Sequence, residues 1–140
     1  RYHSFGMQNW KNWERHFWFT GLLEDGRMLH SGIVDFDFAK NLKSGYICDK
    51  KKVISLATMP AFSEINFKTD SSTDFSFVVN EGTGERLVDI QMKESFPFTM
   101  DDIYTIRQAK SIFELEGVKG IGIVEMGLSK NTENNDKTNH

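Results

Sequence analysis

Proline and cysteine are scarce: the 140 residues contain two prolines and one cysteine, Cys48. A lone thiol excludes an internal disulfide framework and a multi-cysteine zinc site, and it fits a reducing compartment. Seventeen Lys and Arg stand against 20 Asp and Glu, for a net charge of -3. The cations are scattered along the chain, so the stripe that tracks a phosphate backbone is missing and nucleic acid is not an expected partner. No apolar run approaches the roughly 18 residues of a membrane span. Neither a signal-type segment nor an Asn-x-Ser/Thr acceptor is present, and 3.6-residue periodicity never persists beyond a few positions. A cytoplasmic location is expected, although the chain begins at Arg1 and signals upstream of it are left open.

What the chain does have is aromatic: 12 Phe, three Trp and three Tyr. All three tryptophans fall before residue 19, and three of the four histidines fall within the first 30 residues. Apolar and polar residues alternate along most of the length, which reads as all-β. Nine strands are expected, over Asn12–Leu23, Arg27–Phe38, Ser44–Asp49, Val53–Leu56, Ala61–Thr69, Asp74–Asn80, Glu85–Phe98, Ile103–Glu114 and Gly117–Leu128. Asp25-Gly26 and Glu116-Gly117 suit two-residue hairpin loops, and "CDKKKV" and "NEGTGE" suit polar turns. Consecutive hairpins make an antiparallel up-and-down meander. So many strands hide one oily face most economically by closing into a barrel or a strongly curved half-barrel. The domain plan is an N-terminal arm over residues 1–11, the barrel over 12–128 and a polar tail or linker over 129–140.

The hairpin loops turn the sequence into cross-strand pairs. With Asp25-Gly26 at the turn, Leu23 faces Met28, Gly21 faces His30, Phe17 faces Val34, Arg15 faces Phe36 and His16 faces Asp35. The first four pairs share the core face, together with Phe19. His16/Asp35 lies on the outer face. With Glu116-Gly117 at the turn, Phe113 crosses Gly120, Ser111 crosses Gly122, Ala109 crosses Val124 and Arg107 crosses Met126 on the inner face. Two consequences follow for ligands. Small inner residues leave room in the lumen, and Arg15, His30 and Arg107 could hold an anionic ligand there among Phe17, Phe19 and Phe36; pairing with interior carboxylates is the plainer account of these cations. On the outer face, Leu22, Leu29, Ile33, Trp18, Ile112, Ile121 and Ile123 make an apolar patch that a neighbouring domain or partner protein could cover.

Signs of catalysis are thin. "GVKGIG" lacks the helix that a dinucleotide-binding fingerprint requires, so no cofactor is expected. Histidines at 3, 16, 30 and 140 lack metal spacing. His16, Asp35 and His30 are the weak acid-base candidates, and His16/Asp35 serves more simply as a cross-strand pair.

"RYHSFGMQNW", "ERHFWFTGLLEDGRMLHSG", "SGYICDKK" and "FELEGVKGIGIVEMG" together resemble the C-terminal half of the lipocalin-like domains grouped with AttH proteins and carotenoid 1,2-hydratases. The likeness extends to the version found in invertebrate putative phosphoenolpyruvate-synthase or rifampicin-phosphotransferase-like proteins. The family's opening motif maps to Arg1, His3, Ser4, Phe5 and Gly6, with Tyr2 where an acid is usual. Its closing Gly-x-Gly-x-x-Glu maps to Gly120, Gly122 and Glu125. The resemblance implies a lipocalin-like half-barrel joined, in the larger proteins, to phosphotransferase domains. The resulting expectation is a non-catalytic accessory or binding module that holds a small hydrophobic or anionic ligand. The alternatives are a stand-alone carrier and a small hydratase- or cyclase-like enzyme.

Overall fold

The computed structural model describes residues 9–57, 60–65, 67, 74–80 and 84–132. Eight strands follow in chain order: β1 (Trp13–Leu23), β2 (Met28–Phe36), β3 (Leu42–Cys48), β4 (Val53–Ser55), β5 (Asp74–Asn80), β6 (Glu85–Met100), β7 (Tyr104–Leu115) and β8 (Val118–Ser129). They form one antiparallel sheet in the order β4-β3-β2-β1-β8-β7-β6-β5. Every neighbour in sequence is a neighbour in the sheet except β4 and β5, and the first strand pairs with the last. The architecture is an up-and-down half-barrel whose seam lies between β4 and β5.

The seam replaces the expected ninth strand. Among the described residues of Ala61–Thr69, Phe62–Glu64 form a 3-10 turn, and Phe62 and Ile65 are buried in the core cluster beside Leu56. The Ala57 N–H donates to the Asn80 carbonyl at 2.6 Å and ties the end of β4 to the end of β5. The described part of this alternating segment therefore packs on the core without joining the sheet.

The concave side is filled with rings. Phe19 stacks on Phe77 with centroids 6.0 Å apart, Phe17 packs on Phe75 at 5.7 Å and Phe113 packs on Phe19 at 5.8 Å. These contacts bring β1 onto the edge strand β5, four positions away in the sheet. Gly122 and Gly120 let β1 and β8 cross closely: a Cβ at Gly122 would lie 2.7 Å from Gly21 Cα and from the Phe113 ring, and one at Gly120 would lie 2.8 Å from Leu23 Cα.

The last hairpin has the expected register, with Leu115 opposite Val118 and Phe113 opposite Gly120. Glu116 and Gly117 both take positive φ, 54° and 77°, as a type I′ turn demands. The first hairpin is shifted by one residue. Leu22 faces Met28, Phe17 faces Ile33 and Arg15 faces Asp35. Its loop has three residues, Glu24-Asp25-Gly26. Only Gly26 is left-handed (φ 87°), and the Leu23 N–H donates to the Arg27 carbonyl at 2.8 Å. Because side chains alternate with period two, the slip turns β2 over. Leu29 and Ile33 lie in the core, and His30 and Phe36 move to the opposite face.

Candidate functional site

The long strands are amphipathic twice over. In β7, Ala109, Phe113 and Leu115 face the core while Tyr104 and Ile106 are buried on the other face. In β6 six large apolar residues, Val88, Ile90, Met92, Phe96, Phe98 and Met100, fall on even numbers. A bulge between Met92 and Glu94 inserts Lys93 and reverses the alternation relative to β7. The first three stay in the core. The last three face outward beside Gln108, Ile106 and Tyr104.

This outer face carries a cleft of about 750 Å³. Phe98 and Met100 bound it on one side and the β2–β3 hairpin (His30, Val34, Phe36, Leu42, Ser44) on the other, so the cleft spans the outer face from β6 to β3. Its floor is Trp18, His16, Ile106, Gln108 and Glu125, and Trp10 and Trp13 close one end. Every tryptophan of the chain lines this cleft.

Glu125 is the hub of its polar groups. Oε1 accepts from Trp18 Nε1 at 2.9 Å and from His16 Nε2 at 2.9 Å, and Oε2 accepts from Gln108 Nε2 at 2.5 Å. His16 Nδ1 lies 2.7 Å from the Tyr104 hydroxyl. A carboxylate only accepts, so the network assigns the His16 proton to Nε2, and Tyr104 O–H donates to Nδ1. Burial pushes Glu125 up, but the hydrogen bonds from His16, Gln108 and Trp18 outweigh it and hold the carboxyl below its usual range. Burial, reinforced by the negative charge of Glu125, raises the Tyr104 phenol and keeps it protonated.

Packing fixes this chain. Tyr104 is fully buried, stacked on His16 at 5.7 Å and on Trp10 at 5.5 Å, with Trp13 edge-on to His16 at 5.6 Å. Gly127 faces His16 across the β1/β8 pair. A Cβ there would come within 2.6 Å of His16 Nδ1 and 2.5 Å of the Tyr104 ring, so the missing side chain is what lets the imidazole lie over β8. His30 stands between Trp18 and Tyr46, and burial lowers its pKa from the ordinary 6.5, favouring the neutral ring.

The expected ligand set does not come together. His30 and Phe36 line the cleft, and Phe17 borders it from the core. Phe19 is buried on the core side, and Arg107 is half-buried on the inner face, opposite Met126. Arg15 Nε bonds Asp35 Oδ2 at 2.9 Å, with the guanidinium 4.2 Å over the Phe62 ring. Asp35 also accepts from the Asn41 N–H at 2.6 Å. His16 and Asp35 therefore point to opposite faces, and the slipped register is the reason. The lumen is occupied by phenylalanines, and the open volume lies on the other face.

Of the family-motif positions, Gly120 and Gly122 serve the strand crossing and Glu125 serves the cleft. Arg1, His3, Ser4, Phe5 and Gly6 lie outside the described residues. Of the apolar outer patch, Leu22, Ile112, Ile121 and Ile123 are exposed, Trp18 lines the cleft, and Leu29 and Ile33 belong to the core. Tyr104, Gln108 and Gly127 carry no sequence motif. Their signal is positional, since each faces His16 or Glu125 once β7, β8 and β1 are paired. Among the described residues no helix is long and apolar enough to cross a membrane. Comparison of the chain with family models, with curated proteins and with solved structures finds no match.

Proposed function

We propose that this domain is a non-catalytic binding module that holds a small, largely apolar molecule in the outer-face cleft. One observation carries the reading: a ring-lined cleft of about 750 Å³ onto which Glu125, Gln108, His30 and Ser44 converge. Apolar walls with a few placed polar groups are how small-molecule sites combine affinity with orientation. Both ring nitrogens of His16 are engaged, so it has no free lone pair for a substrate and instead positions Glu125. The meander with first-to-last pairing supports the lipocalin-like assignment. Membership of a phosphoenolpyruvate-synthase-like protein is proposed on the sequence resemblance alone, as are the cytoplasmic location and the docking of a neighbouring domain.

Native mass spectrometry of the gently purified domain tests the reading, with any bound molecule released and identified. A stoichiometric ligand whose return shifts the tryptophan emission is the expected result. An empty domain whose emission no hydrophobic probe alters would reject it.

A second reading, an acid-base enzyme of the hydratase kind, is favoured by the Tyr104–His16–Glu125 chain beside an apolar cleft. It requires that the released molecule, returned to fresh protein, gain or lose one water, and that Glu125→Gln stop the change. Recovery of the molecule unaltered supports the carrier.

A further inference from the structure

Resting on the cleft reading above, we infer that the cleft selects a cation: an alkyl- or aryl-ammonium whose charge is met by Glu125 and whose carbon body lies against the tryptophan and phenylalanine rings. The argument begins with charge. Among the described residues that line the cleft, Glu125 is the only Asp or Glu, and none is Lys or Arg. Of its three hydrogen-bond donors, Trp18 and Gln108 are neutral groups, and His16, 2.9 Å away, pairs with it as an ion only when the ring is protonated. With no Lys or Arg in the cleft lining, a bound cation gives this half-buried carboxylate a permanent counter-charge.

Geometry agrees. A carboxylate offers about four acceptor sites. Oε1 receives two donors and Oε2 one, which leaves Oε2 with an unused acceptor side to face the ligand's cationic head. Trp10, Trp13, Trp18, Phe36 and Phe98 surround the opening, and the faces of such rings attract a cation electrostatically, tryptophan most strongly. The same lining repels an anion. Arg15, one of the two guanidinium groups expected from sequence to receive one, is bonded to Asp35 on the other side of the sheet.

The test uses three probes that differ mainly in charge: phenyltrimethylammonium, its neutral isostere tert-butylbenzene, and benzenesulfonate, each titrated against the tryptophan emission of the whole chain. The cation should bind at least about tenfold more tightly than the isostere, and the sulfonate most weakly. Glu125→Gln, verified as folded by its melting transition, should remove most of that preference. Equal or tighter binding of tert-butylbenzene to the wild-type protein overturns the inference and leaves the cleft reading standing. No saturable change with any of the three rejects both. The wild-type comparison decides even if the variant does not fold.

Discussion

His16 works as a connector, because each of its nitrogens satisfies a buried partner. Replacing it with Phe keeps a ring against Tyr104 but leaves the phenol without an acceptor and Glu125 short of a donor, at a cost of about 3 kcal/mol. Tyr104→Phe removes only the hydroxyl and should cost about 1 kcal/mol. Urea unfolding of both variants checks the order, and equal losses would deny that the three groups act as a chain. Stability should also fall with acid. Glu125 has a depressed pKa in the folded state, so its contribution is complete above the ordinary 4.5 and is lost as pH drops from there through the folded value. His30 is depressed as well. The unfolded chain takes up that proton first as pH falls below 6.5, and the fold weakens across the window between 6.5 and the folded value. Urea midpoints against pH should therefore decline in two stages, and His30→Gln should flatten the upper one alone.

At the scale of elements, what matters is where a strand changes the face it buries. The Lys93 bulge sends Phe96, Phe98 and Met100 to the cleft side. Deleting Lys93 should turn β6 into a regular ladder and leave all three on the cleft side, because Phe96 then stands three residues after Met92 and keeps its partner Gln108. Probe binding and the native near-ultraviolet circular dichroism should both survive. Gly127→Ala drives a methyl into His16 and Tyr104, and is expected to cost about 2 kcal/mol and to lose probe binding. Gly117→Ala meets nothing within 4 Å but keeps a positive φ of 77°. It should cost about 1 kcal/mol through backbone strain and leave the cleft intact. These elements were unequally legible in the sequence. Glu116-Gly117 determined its register because a two-residue type I′ loop admits no alternative there. Asp25-Gly26 did not, since the same pair also fits the end of a three-residue loop with glycine left-handed. That one residue moved His30 from the expected core to the cleft and separated His16 from Asp35.

For the whole molecule, curvature depends on rings of the edge strand β5 meeting rings of β1 across the core. Phe77 on the edge strand contacts Phe17, Phe19 and Phe75. Phe77→Ala should cost about 3–5 kcal/mol and should raise amide exchange in β5 before the rest of the sheet. Uniform acceleration instead would mean that β5 unfolds only with the whole domain.

The sequence by itself determined the all-β class, the antiparallel succession of most strands and the final hairpin, because period-two alternation and turn chemistry are local. It also supplied the three tryptophans and Glu125 that form the cleft. Only the tertiary structure decided which face those residues share. A bulge, a three-residue loop and a strand replaced by a seam-covering turn each change side-chain parity without altering the alternating pattern. The site lies outside the barrel because the lumen was already filled by phenylalanines brought together from strands distant in the chain.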